Sequence, residues 1–317
     1  MDFLRAGQVS FDHVYSTEID LVIGVSGYES RSPFLVERIK LGNETKIVLA
    51  FNERNDELHR PKNDRIFQNL GFRFINLSGD SCPDVADLLY FLPENDKEEL
   101  NILVDYSCMT KLWYSSIINF LIQNKLIYKK VNVLFSYTTS EFIEPKKPKP
   151  IKVAEAIGCF HRGLAVGKPL SLVIGLGYEK LRAEFLKKSV NPQSSYCFYA
   201  DPVTDDRYVK KVYINNFRLI DSLHKSHVIA YPISDMDKTD QLLTSLCLDL
   251  RIKSRLILAP LGPKPFALLN MLLAARYPDI EVWRVSAGKL ESIYDRIPVG
   301  EPLIYRVEFG ADHDYSN

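Results

Sequence analysis

The chain has no excess of charge of either sign: 40 lysines and arginines stand against 40 aspartates and glutamates in 317 residues. A protein that coats duplex nucleic acid through its overall field is thereby disfavoured, while a local basic pocket stays open. Cysteine is sparse and unpatterned. Cys82, Cys108, Cys159, Cys197 and Cys247 are odd in number and scattered, with no C-x-x-C pair. This disfavours a disulfide framework and a zinc ribbon. No apolar run approaches the roughly 20 residues needed to cross a bilayer. The opening residues, Met1 to Gln8, lack the charged-then-apolar design of a secretory signal. The expectation is a soluble protein of a reducing, cytoplasmic compartment, without a membrane partner. Neither G-x-G-x-x-G nor a lysine-tipped P-loop occurs, so an ordinary dinucleotide or ATP site is not supported.

What is present is a repeat. Leu21-Val-Ile-Gly-Val-Ser-Gly-Tyr-Glu-Ser-Arg31 has a second copy in Leu172-Val-Ile-Gly-Leu-Gly-Tyr-Glu-Lys-Leu-Arg182. Each is an apolar run that breaks at a glycine turn, continues as Tyr-Glu and enters a helical pattern. A strand ending in such a turn presents backbone N–H groups at a helix N-terminus, which suits an anionic ligand.

Around each copy, continuous apolar runs alternate with helical patterns. In the first half the strand candidates are 19–25, 45–51, 72–77, 100–106 and 131–137, with helices at 33–40, from the polar cluster at 52–56 to Leu70, at 83–91 and at 112–123. Gly71 reads as a C-terminal helix stop. In the second half strands are expected at 170–176, 195–200, 227–231, 255–259 and 280–286. Helices are expected from 179, near 210–222, at 238–250 and at 266–276, and Leu303 to Phe309 is a further strand candidate. The lysine- and proline-rich stretch Glu144 to Pro150 reads as a solvated connector. Buried parallel strands alternating with helices define an α/β protein. Spacing supports duplication: Gly27 to Ser107 is 80 residues and Gly177 to Leu261 is 84, while Gly27 to Asn52 is 25 and Gly177 to Asp201 is 24. The fold class expected is two tandem Rossmann-like, doubly wound parallel-sheet domains related by internal duplication, over residues 1–150 and 151–317.

In such a sheet, ligands sit beyond the carboxyl ends of the strands where the strand order reverses. With the order 3-2-1-4-5, strands 1 and 4 are neighbours. Gly24, Ser26, Gly27, Tyr28, Glu29 and Arg31 then face Asp105, Ser107, Thr110 and Lys111. In the second half Gly175, Gly177, Tyr178 and Glu179 face Gly262 and Lys264. The glycines allow close backbone approach to a phosphate, or simply a tight turn. Arg31 suits a bidentate anion contact. Tyr28-Glu29 and Tyr178-Glu179 fit base stacking and ribose recognition, or equally a tyrosine on the sheet edge and an acid in a first helical turn. After the second strands, Asn52 or Glu53 in the first half and Asp201 in the second are placed to read a ribose or to form a turn. Asp105 is costly at the end of a buried strand unless hydrogen-bonded or functional. Either it belongs to a pocket or it, or Ser107, caps the next helix. The second half has Ala259 in its place, so the acid survives in one half alone.

Asp105-Tyr-Ser-Cys-Met-Thr-Lys111 resembles the D-[hydrophobic]-[ST]-G-G-[TS]-K loop of CARF domains, at Asp105, Ser107, Thr110 and Lys111. Cys108 and Met109 replace the two glycines. CARF domains are Rossmann-like sensors of cyclic oligoadenylates in prokaryotic antiviral systems, and two fused units are the plan of the SAVED domain. The resemblance implies a nucleotide or oligonucleotide sensor acting with protein partners or as a homo-oligomer. It also implies an alternative, a ligand-degrading enzyme centred on Asp105, Ser107 and Lys111, and a third, a scaffold subunit. No cofactor and no metal are expected: His224 and His227 lack an accompanying acid or cysteine pattern. A nucleophilic role for Cys108 or Ser107 needs a base, for which His59 and His161 are the candidates.

Overall fold

A computed structural model describes residues 1–92, 97–124, 126–160, 167–201, 205–288 and 291–310. In chain order the first elements are β1 (Asp2–Val9), α1 (Asp12–Ser16), β2 (Leu21–Ser26), β3 (Thr45–Phe51), α2 (Arg60–Asn69) and β4 (Arg73–Leu77). There follow α3 (Val85–Tyr90), β5 (Glu99–Asp105), α4 (Lys111–Gln123) and β6 (Lys130–Tyr137). The second half holds β7 (Val153–Ala156), β8 (Leu170–Gly175), α5 (Arg182–Val190), β9 (Ser194–Ala200), α6 (Asp206–Asp221) and β10 (Val228–Tyr231). It continues with α7 (Met236–Lys253), β11 (Arg255–Pro260), α8 (Lys264–Arg276) and β12 (Ile280–Ser286), and the last strand is β13 (Leu303–Gly310).

Two compact units result, one of Met1–Glu141 with the residues from Tyr294 onward, the other of Phe142–Ile293. The first carries a sheet ordered β1-β13-β6-β5-β2-β3-β4, the second a sheet ordered β10-β9-β8-β11-β12-β7. Within each, five parallel strands have the order 3-2-1-4-5. The expected α/β class and the reversal of strand order between strands 1 and 4 are both present.

The reason lies in burial. Every residue of β2 is buried, as are the last four of β5, which only a sheet covered on both faces provides. In the first unit Val22, Val48, Leu103 and Leu134 on one face pack with Leu35, Val36 and Phe67. Each such side chain contributes about 1.5–3 kcal/mol on burial. In the second unit Leu172, Ile174 and Ile257 pack with Leu186, Val212 and Leu219. Helix α8 is buried from Pro265 to Ala274, as expected of a helix that is apolar all round. Thr110, Asp205 and Asp235 cap α4, α6 and α7 by accepting from main-chain N–H groups of the first turn. Gly71, at φ +77°, ends α2.

Besides β7, for which the sequence predicts no strand, the structure departs from the sequence-based expectation in four places. Residues 30–38 form successive turns instead of a helix. Three-residue closures (Phe34 N–H to Arg31 O) mix there with four-residue ones (Glu37 N–H to Pro33 O), because buried Arg31, Ser32, Leu35 and Val36 pin the segment from several directions. The helix expected from 179 starts at Arg182, since Leu181 has a left-handed backbone (φ 72°). The N-terminal residues, to which the sequence assigns no element, form β1 and α1, whose mixed exposure gives no clean period. The strand at 303–309, assigned to the second domain, instead lies in the first sheet, antiparallel to β6 and β1. A second domain of 151–317 is therefore replaced by 142–293 with a return of the chain. The strand pairs the otherwise open edge of β6, as β7 does for β12.

Candidate functional site

At the carboxyl end of the first sheet the loops after β2 and β5 meet. A Cβ on Gly27 would lie 3.4 Å from Cys108 Cβ, so the two loops are in van der Waals contact. The glycine turn is braced by its own chain. Gly27 N–H donates to Ser32 Oγ (3.0 Å), and Ser32 Oγ donates to Val25 O. Asn63 Nδ2, from α2, donates to the carbonyls of Gly27 (2.8 Å) and Glu29 (2.9 Å). Ser26 Oγ donates to Asp64, which also pairs with Arg60. Gly24 faces Phe67, whose ring would lie 3.1 Å from an added Cβ. The N–H of Gly27, expected to face an anion, is thus held by Ser32.

Arg31 is 2% exposed and works from beneath. Its Nε donates to Glu29 Oε2 (2.7 Å), and its terminal nitrogens donate to Thr138 O (2.7 Å) and Ser107 O (3.0 Å). Burial opposes the guanidinium charge, but Glu29, Tyr137 and Cys108 together more than offset this and raise the pKa further above its usual value. Arg31 therefore ties the loop after β2 to those after β5 and β6.

Asp105 is 3% exposed and accepts from Ser107 N–H (2.9 Å). Ser107 Oγ, fully buried, accepts from Thr138 N–H (2.8 Å). The cap of α4 is neither of these but Thr110, which accepts from Trp113 N–H (3.3 Å). Lys111 is the first residue of α4. Ser136, paired in register with Asp105, and Thr138 have buried hydroxyls without a hydrogen bond to another described protein group. The Cys108 thiol donates to Glu29 Oε2 (3.7 Å). Burial pushes the Cys197 and Cys247 thiols up to about 12.

Three groups were not legible as site residues. Arg54, in a left-handed backbone (φ 65°), lays its guanidinium 5.3 Å from the Tyr28 ring centre. Burial and the nearby Glu29 raise the Tyr28 pKa, while Arg54 and Arg296 oppose them. Asp295 accepts from Ser30 N–H (2.7 Å) and contacts His59 Nε2 (2.9 Å). Arg296 donates to Glu29 Oε1 (2.9 Å). Loop 52–59 has a second left-handed residue, Leu58 (φ 44°). Such strain persists where surrounding contacts impose it, and it clusters at functional sites. Asn52 is exposed at the end of β3, its N–H donated to Leu77 O.

The second unit repeats the bracing but seals the turn. Asn216 Nδ2 donates to Gly177 O (2.8 Å), as Asn63 does to Gly27. Arg182 pairs with Glu179 (2.8 Å) and donates to Val285 O (3.2 Å), as Arg31 does with Glu29 and Thr138. Yet a Cβ on Gly177 would lie 2.4 Å from Leu261 O, and one on Gly262 2.6 Å from Leu176 O. These glycines let two backbones pack on one another. Gly175 likewise admits the Phe266 ring, 2.5 Å from an added Cβ. Tyr178 packs near Tyr208 (5.8 Å between centroids), Lys264 opens α8, and Asp201 is exposed with its N–H bonded to Tyr231 O. His161 lies outside the described residues. His224 and His227 stand 6.1 Å apart, and among the described residues no group of three or more His, Cys, Asp or Glu is placed to hold a metal. Among them, too, no helix is long and apolar enough to cross a membrane.

Compared with protein-family models, curated proteins and solved structures, the chain finds no match.

Proposed function

We propose that the first unit is a sensor module for a nucleotide or oligonucleotide, seated where the loops after β2 and β5 meet. The observation that carries this is Tyr28 with Arg54 over its ring and Arg296 within electrostatic reach. An aromatic face beside two guanidinium groups, at the reversal of strand order, suits a base and its phosphates. Lys111 at the start of α4 adds a cation on the facing loop. The likeness of Asp105–Lys111 and of the tandem units to CARF and SAVED sensors supports the same reading. It extends it to prokaryotic antiviral defence with partner proteins. Binding is favoured over turnover because Ser107 is fully buried, its Oγ accepting from Thr138, and the Cys108 thiol faces a carboxylate.

The test is titration of the purified chain against cyclic and linear oligonucleotides and mononucleotides, read by thermal shift and calorimetry. Binding that is lost in Arg54→Ala supports the module. No response to any member removes it. Turnover that Asp105→Asn abolishes with the fold intact would replace sensing by hydrolysis.

A further inference from the structure

In the second unit the sealed glycine turn is followed by a row of three half-buried rings. Tyr178 lies 5.8 Å from Tyr208 between ring centres, and Tyr208 lies 5.0 Å from Phe142, edge to face at 73°. Arg207 sets its guanidinium 4.9 Å from the Phe142 ring centre. Lys211 stands four residues after Arg207 and three after Tyr208, one helical turn beyond both on the same side of α6. Its ammonium is paired with the Glu144 carboxylate. All of these residues belong to the second unit, which begins at Phe142.

The arrangement parallels the first unit with one difference. Tyr178 is the copy of Tyr28, and Arg207 follows β9 as Arg54 follows β3. In the first unit the guanidinium lies against the repeated tyrosine itself, whereas in the second it lies against Phe142, a ring brought in from the start of the unit. Phe142 is held by a tyrosine edge and by a cation, the two contacts that an aromatic base receives in such a place. Two residues on, the Glu144 carboxylate takes the lysine that a phosphate would take. A flat ring, a short spacer and an anion is the order of groups in a nucleoside monophosphate. Glu144 is 65% exposed, and an ion pair that exposed contributes little to stability, so the segment can be displaced.

We propose that the second unit carries its own site for a nucleoside phosphate, formed by Tyr208, Arg207 and Lys211, and that Phe142 and Glu144 occupy it as an internal mimic of that ligand. This extends the nucleotide reading of the first unit, but it stands on contacts made wholly inside the second. Ligand and segment compete for the same groups, so binding is weak until the segment leaves.

The experiment is calorimetric titration of the full chain with adenosine and guanosine 5′-monophosphates, in an Arg54→Ala background that silences the first-unit site. Adding Phe142→Ala with Glu144→Ala is expected to tighten binding of at least one of them about tenfold, the scale of the ring and cation contacts released. Glu144→Ala by itself removes an exposed carboxylate and leaves the packing. It is expected to gain about threefold, and it keeps the test decisive if the double change unfolds the unit. Further substitution by Arg207→Ala or Lys211→Ala abolishes the gain. No binding by the opened variants, or affinity equal to that of the Arg54→Ala protein, overturns the proposal. So does a gain that survives the loss of both cations. Because Arg54 is absent throughout, failure of the first-unit reading leaves these outcomes unchanged.

Discussion

Arg31 Nε lies 2.7 Å from Glu29 Oε2, with side-chain exposures of 2% and 10%. Two residues apart in sequence, they form the buried centre on which the first glycine turn is built. Removing Arg31 leaves Glu29 with Arg296 as its cationic partner and takes the guanidinium donors from the buried carbonyls of Thr138 and Ser107. Arg31→Met is therefore expected to destabilise the protein by about 3–5 kcal/mol, measured by urea unfolding. A loss below about 1 kcal/mol would mean that the pair is surface-like.

Tyr28 and Arg54 are expected to matter for binding far more than for stability. Tyr28→Ala and Arg54→Ala should each weaken an identified oligonucleotide by about tenfold, the scale of one lost stacking or cation–π contact. Isothermal titration reads the loss, and thermal melting checks that the fold survives.

Gly177 and Gly158 make a matched pair for testing close approach. A Cβ at Gly177 would meet the Leu261 carbonyl oxygen at 2.4 Å, whereas one at Gly158 would meet nothing within 4 Å. Gly177→Ala is expected to cost about 1–3 kcal/mol, the usual scale of forced overpacking, and Gly158→Ala close to nothing. Melting temperatures of the two variants decide this.

Glu291 has a lowered pKa: burial acts to raise it, and the hydrogen bonds and charge of Arg182 together with the Ala287 and Ser286 donors overcome that effect. A carboxyl whose folded value is depressed adds stability above its unfolded value, near 4.5. That stability is lost as pH falls through the lower folded value. Unfolding measured from pH 7 down to pH 3 should show a steeper acid loss in the wild type than in Glu291→Gln, with the difference opening below about pH 4.5.

Much of the architecture was readable because buried parallel strands appear as unbroken apolar runs. Five such runs in each half, punctuated by glycine turns, predicted the parallel strands of both sheets and the meeting of the loops after β2 and β5. The role of the turn residues was less readable. Arg31 looked like an anion contact, and it lies buried beneath the loop, bonded to Glu29, Ser107 and Thr138. Residue type announced the charge, but burial decided what the charge faces.

What the sequence by itself determined is the alternation of elements, the duplication and the gathering of polar residues at the strand ends, since these follow from local periodicity and spacing. Tertiary structure alone decided that β13 pairs with β6, that Asn63 and Asn216 bind equivalent carbonyls, and that Arg296 reaches Glu29 across 267 residues of sequence. Periodicity reports which face of one element is buried. It does not report which distant segment arrives to cover an open edge or neutralise a buried charge, and only chain closure in three dimensions settles that.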